Sequence, residues 1–287
     1  MWIHPDQLTP PRGALFLLVM SMGCAPIPPD ADAERAAAVA TAVLPELDFP
    51  AGPLGASAQR GRAILAHTRD SLPANVGNDL RCTSCHLDDG RRPNAMPWIG
   101  VTARFPQYRS RSGSVQRLED RINDCFRRSL AGTALRWDDP AMRDIISYMA
   151  LLSEGIAHGS DVPGQGLPLG SPTPGDSVAG AQVYATECAR CHGSNGEGTP
   201  GYPPVWGPRS YTIGAGMARL RTVAAFVRHN MPFDRAGTLS EAQAQDVATY
   251  LTTRPRPDFA AKAEDWPNGD PPPDVAYPTQ AGRVARP

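Results

Sequence analysis

The chain has 287 residues, 28 of them basic and 29 acidic, for a formal net charge of −1. That balance gives no footing to a nucleic-acid partner, which would want a basic excess. No apolar run reaches the ~20 residues of a membrane-spanning helix. Proline numbers 31, about twice its usual share. The length suits about two domains, so compact domains joined and flanked by proline-rich segments are expected. All the basic residues except Lys262 are arginine, which reads as compositional bias.

Arg12 precedes the apolar run Ala14–Met20, and Ser21, Met22, Gly23 and Cys24 follow. Residues 1–24 therefore read as an export signal, too short for a permanent span. A cysteine directly after such a stretch resembles a bacterial lipoprotein processing site, which would make Cys24 a lipidated first residue. Ser21 stands where leucine is usual in such sites, and plain cleavage is the alternative. Residues 25–55 are rich in alanine and proline, as a tether would be. The expected compartment is the periplasm, with a lipid anchor at Cys24 if the site is processed that way.

The first dense signal is Cys82-Thr83-Ser84-Cys85-His86, and the second is Cys188-Ala189-Arg190-Cys191-His192. Cys-x-x-Cys-His is the attachment site of c-type haem. Two thiols add across the haem vinyl groups, and the adjacent histidine becomes an axial ligand of the iron. A thioredoxin-like pair leaves both histidines unexplained, and a zinc site lacks further ligands at the right spacing. Two covalently bound haem c groups are expected, with Cys82, Cys85 and His86 holding one and Cys188, Cys191 and His192 the other.

The surrounding pattern repeats. A helix-like segment precedes each motif, Ser57–Thr68 and Asp176–Thr186. An amphipathic helix closes each half, Pro140–Ser153 and Ser240–Thr252, the latter with a capping box from Ser240 and Gln243. A further helix, Ala218–His229, ends at Asn230-Met231-Pro232. Methionine before proline downstream of a haem motif suits the sixth ligand of the second iron. Met231 lies 39 residues after His192, and the residue 39 after His86 is Cys125. The equal offset points to a His86/Cys125 haem beside a His192/Met231 haem. Arg117–Ser129 should be helical, with Leu118, Ile122, Cys125, Phe126 and Ser129 on one face. A cysteine on such a face is usually a small buried hydrophobe, and the offset argues otherwise here. A thiolate ligand favours ferric iron and suits sulfur chemistry. Met96 and His229 are weaker ligand candidates, and His67 and His158 read as surface or packing residues. Trp98, Trp137 and Trp206 should line the haems or fill the cores. Arg91-Arg92 and Arg127-Arg128 read as solvated faces or a docking surface.

The fold class is therefore all-α, two tandem cytochrome c domains, each around one covalently attached haem. The first is expected over 56–158 and the second over 176–255. A linker rich in proline and glycine spans 159–175, and a proline-rich tail covers 256–287 and should pack as an extended strap.

Several stretches resemble the diheme cytochrome c thiosulfate dehydrogenases. They are Val76–Arg81 leading into the first motif, Leu87–Gly90, Phe105–Tyr108, Arg121–Ser129, Asn230–Pro232 and Asp265–Pro267. The diheme subunit of the sulfur-oxidation complex is similar around its own cysteine-ligated haem. The resemblance implies that two thiosulfates are coupled to tetrathionate at the first haem and that the second haem passes electrons to a soluble carrier protein. It also implies substrate contacts from arginines before the cysteine and a serine after it, which here match Arg111, Arg121 and Ser129 beside Cys125. One departure is Ala131-Gly132, where the family commonly has Asn-Gly. The alternatives are a diheme carrier with no substrate of its own, a sulfur-oxidation subunit that needs a partner chain, and a relative tuned to tetrathionate reduction.

Overall fold

The computed structural model describes residues 46–279. The expected signal and Cys24 lie outside the described residues. The main helices are α1 (Pro53–Ala66), α2 (Leu118–Arg128), α3 (Pro140–Leu151), α4 (Ser177–Val183), α5 (Leu220–Asn230) and α6 (Glu241–Thr252). A short antiparallel hairpin, β1 (Gln107–Arg109) and β2 (Ser114–Gln116), pairs Tyr108 with Val115. The helical character agrees with the all-α expectation. The hairpin is an addition that sequence periodicity did not signal.

Local chemistry starts the helices where the side chains allow it. Pro53 and Pro140 sit in first turns, where a missing N–H costs nothing. The Asp139 carboxylate accepts from Ala141 N, and that of Asp176 from Val178 N and Ala179 N. Ser240 and Gln243 form the expected capping box. In α2, Glu119 and Asp120 occupy the first turn and Arg127 and Arg128 the last, each complementing the helix dipole.

The two halves repeat one packing device. The helix before each haem motif crosses the closing helix of its half at a glycine. A Cβ on Gly61 of α1 would stand 1.9 Å from the Asp144 carbonyl oxygen of α3, and one on Gly180 of α4 would stand 2.1 Å from that of Asp246 in α6. Only glycine permits this approach of two backbones. Met142, Ile145 and Tyr148 are fully buried in the first core, and Val247 and Ala248 in the second.

The halves are also stitched together. Tyr211, Ala215 and Ala218, from the second half of the chain, pack into the first domain's core. Met217 lies against the cores of both domains. Asn78 Nδ2 donates to Ser210 O at 3.0 Å, Thr212 N to Arg128 O at 3.1 Å, and Asn230 Nδ2 to Asn94 O at 2.8 Å. The tail crosses this seam. Asp265, 2 % exposed, accepts from both Arg111 and Arg128.

Three expectations change. Trp137 is 66 % exposed and fills no core, whereas Trp98 and Trp206 are buried. Arg92 is no solvated side chain: it is 7 % exposed and pairs with Asp88. Arg128 is held by the tail and lies over the Phe259 ring at 4.4 Å, while Arg127 is exposed.

Candidate functional site

Each Cys-x-x-Cys-His motif lies on a short helical turn that turns its histidine inward. Cys82 opens a 3₁₀ turn whose backbone N–H is met by Thr68 Oγ1 at 3.0 Å. Burial pushes the Cys82 and Cys85 thiols up to about 12. That is the reverse of the lowered thiolate that a thioredoxin-like pair needs. The His86 Nδ1 donates to Met96 O at 2.6 Å. Because a carbonyl only accepts, this bond fixes the tautomer and leaves Nε2 with a free lone pair. In the second half, His192 Nδ1 meets Pro203 O at 2.8 Å in the same way, and burial holds the ring neutral. The ring of Trp98 lies 4.9 Å from His86. A Cβ on Gly90 would strike that indole, as one on Gly196 would strike Trp206. Met96 thus orients the histidine through its carbonyl.

Cys125 sits on α2 and lines, with Cys82, Cys85 and His86, a half-open cavity of about 270 Å³. Ile122, Phe126, Leu118 and Met149 supply apolar walls. Burial raises the Cys125 thiol, but charged neighbours, the Arg121 guanidinium first, bring it down to about 6. Arg121 Nη1 donates to the Cys125 sulfur at 3.0 Å. In the second domain, Met231 follows α5 and packs on the same core as Cys188 and Trp206.

These residues fit c-type haem. Each half has a thiol pair, a histidine with one nitrogen tied back and the other free, and a sulfur-bearing side chain downstream. The first half adds a half-open, mainly apolar space of suitable character for a flat macrocycle. Zinc fits less well: among the described residues no three His, Cys, Asp or Glu side chains cluster as metal ligands.

A second cavity of about 350 Å³ adjoins the first. Arg109, Arg121, Cys125 and Ser129 line both. Arg111 lines the second as well, but its guanidinium is engaged: Nε donates to Asp265 at 3.0 Å and Nη2 to Gly214 O and Tyr277 Oη at 2.6 Å each. Ala131 lies outside both linings and adopts φ +49, so its departure from Asn concerns a left-handed turn rather than a pocket amide. Among the cavity residues that sequence reasoning missed are two arginines, Arg109 and Arg219. In a chain whose basic residues are nearly all arginine, no local pattern distinguishes them.

Two family models match in tandem. Residues 74–157 match the SoxA/TsdA cytochrome c domain, and 176–251 match cytochrome c oxidase, cbb3-type, subunit III. The thiosulfate dehydrogenase of Allochromatium vinosum is 44 % identical over 82 % of this chain and 91 % of its own length. That of Psychrobacter arcticus is 41 % identical over 80 % of this chain and 72 % of its own. Among solved structures, the as-isolated thiosulfate dehydrogenase TsdBA of Marichromatium purpuratum superposes with a TM-score of 0.69 at 36 % identity. That match covers 76 % of this chain and 50 % of the other, so this chain spans half the length of that protein.

Proposed function

The chain belongs to the thiosulfate dehydrogenase family, and on that premise we propose that it joins two thiosulfates into tetrathionate at Cys125 and hands two electrons to a soluble carrier. The observation that carries the reading is the Cys125–Arg121 contact at the partition between the apolar cavity and an arginine-lined one. A buried thiolate there is a nucleophile toward sulfur, and the fork of an arginine suits a sulfonate.

The reaction balances in two steps. The Cys125 thiolate and the sulfane sulfur of one thiosulfate form a sulfur–sulfur bond with the loss of two electrons, leaving a protein-bound thiosulfonate of one negative charge. The second thiosulfate attacks the outer sulfur of that adduct, tetrathionate leaves as a dianion, and the Cys125 thiolate returns. Two haem c groups, which would be held by His86 with Cys125 and by His192 with Met231, would supply places for the two electrons. Arg121 neutralises the thiolate before the first step and stays beside the sulfonate after it. Ser129, also on the partition, offers a hydroxyl to the same groups.

On this reading the chain works in the periplasm, where covalent haem attachment is completed, with either a lipid tether at Cys24 or plain cleavage of the signal. Among the described residues no helix is long and apolar enough to cross a membrane. The test is anaerobic incubation of the holo-protein with thiosulfate and an artificial acceptor. Tetrathionate at half the thiosulfate consumed, with two electrons per tetrathionate, supports the reading. No product from fully loaded protein favours a carrier or a partner-dependent subunit.

A further inference from the structure

The cavity beside Cys125 carries more positive charge than its own residues balance. Five guanidinium groups line it: Arg109, Arg111, Arg121, Arg128 and Arg219. Three have anionic partners. Arg111 and Arg128 share Asp265, and Arg121 faces the Cys125 sulfur. Arg109 and Arg219 have none: among the described residues no carboxylate forms an ion pair with either. The printed bond of Arg109 runs from Nη1 to Gln107 Oε1, a neutral group. The Arg219 Nε is buried without a hydrogen-bond partner.

The nearest carboxylates are occupied. Asp124 takes a bond from Gln116 and lies 3.6 Å from Arg128. Asp274 is met by the backbone N–H and the guanidinium of Arg221. Burial, and then neighbouring arginines, hold both free guanidinium groups below their ordinary values, as expected for cations without a counter-charge. Half-buried cations without a protein counter-charge are costly, and an anion bound in the cavity would offset them. With Cys125 as thiolate, the five guanidinium groups set against Cys125, Asp124 and the adjoining Asp265 leave a surplus of two positive charges.

We infer that Arg109 and Arg219 form the subsite for the second thiosulfate, in the cavity they share with Cys125 and Arg121. The inference rests on the proposed function and deepens it. The surplus matches one dianion. The first thiosulfate, once bonded to Cys125, keeps one negative charge, and Arg121 answers it. The second arrives with two charges, and two guanidinium groups await it. The subsite is shared between domains: Arg109 ends β1 of the first, and Arg219 precedes α5 of the second. The second substrate is therefore held only where the two domains meet.

The test separates the two half-reactions in the holo-protein. In Arg109→Gln and Arg219→Gln, tetrathionate formation should fall about ten- to hundredfold, the range for losing a charge-assisted hydrogen bond. With one equivalent of thiosulfate and an acceptor, the Cys125 adduct should still form to the wild-type extent, read by intact mass. Arg219→Lys should recover part of the turnover. Turnover within about twofold of wild type in both glutamine variants would overturn the inference. So would loss of the adduct in parallel with turnover, because the arginines would then serve the first substrate or the fold. A wild-type protein that makes no tetrathionate overturns the functional reading and this inference together, whereas active wild type with unaffected variants overturns this inference alone.

Discussion

Arg121 and Cys125 lie one helical turn apart on α2, and the guanidinium donates to the sulfur at 3.0 Å. The i, i+4 spacing makes the contact a property of the helix itself. The surrounding cavities decide what the contact does: one side is apolar, and the other is lined by arginines.

Cys125→Met should abolish turnover and leave both haems attached, because a thioether is no nucleophile for the adduct step. Spectra of the denatured protein count the attached haems, and the tetrathionate assay reads the loss. Full activity in this variant would remove Cys125 from the reaction. Arg121→Gln should lower turnover about ten- to hundredfold, and unlike the variants at Arg109 and Arg219 it should also impair the adduct.

Ala131→Asn should stabilise the protein by about 0.5–1 kcal/mol. Ala131 adopts φ +49, a left-handed conformation that costs an ordinary L-residue roughly 1–2 kcal/mol and asparagine less. Urea unfolding should show a higher midpoint with unchanged slope, and turnover should stay at the wild-type level. A large gain in turnover would show that the amide acts in the pocket.

Asp265→Asn should destabilise the protein by about 3 kcal/mol, since removing one member of a buried ion network strands the others. Arg111 and Arg128 would both lose their shared carboxylate, and the Tyr277 hydroxyl its acceptor. Thermal melting should report the loss. If stability is unchanged, the tail does not clamp the seam.

Asp144 ties α3 to α1. Its carboxylate accepts from Arg60 at 2.8 Å and from Ser57 at 2.6 Å. These bonds, that of Arg60 first, hold the carboxyl below its ordinary value of 3.8. The carboxylate therefore contributes stability that is fully present above that value and is lost as pH falls through the lower folded value. Asp144→Asn should be less stable than wild type at neutral pH, and the gap should narrow as the pH drops below about 4. A gap that is constant with pH would show that the carboxylate is not what matters.

A side chain at Gly180 should break the helix crossing of the second domain. Gly180→Val pushes a Cβ onto the Asp246 carbonyl and should cost at least ~1–3 kcal/mol. Gly61→Val should do the same in the first domain.

Much of the site was legible because its chemistry is local. The Cys-x-x-Cys-His spacing is a demand of the cofactor, and the positions of Cys125 and Met231 follow a repeat that survives in residue counts. The caps at Asp139, Asp176 and Ser240 are equally local, and the helices begin beside them. Arg111 was readable as a cavity residue. What was not readable is that its guanidinium is already bound by Asp265, 154 positions away.

The sequence by itself thus determined the cofactor class, the helical architecture and the sulfur residue at which the chemistry is proposed, since each depends on neighbours within a turn or a motif. Only the tertiary structure decided which arginines are compensated and which are free. Charge balance is a sum over space: Asp265, Asp124 and Asp274 neutralise arginines from distant segments and leave Arg109 and Arg219 bare. In a chain with so many arginines, composition does not predict that remainder, and it is settled where the two domains and the tail close around one cavity.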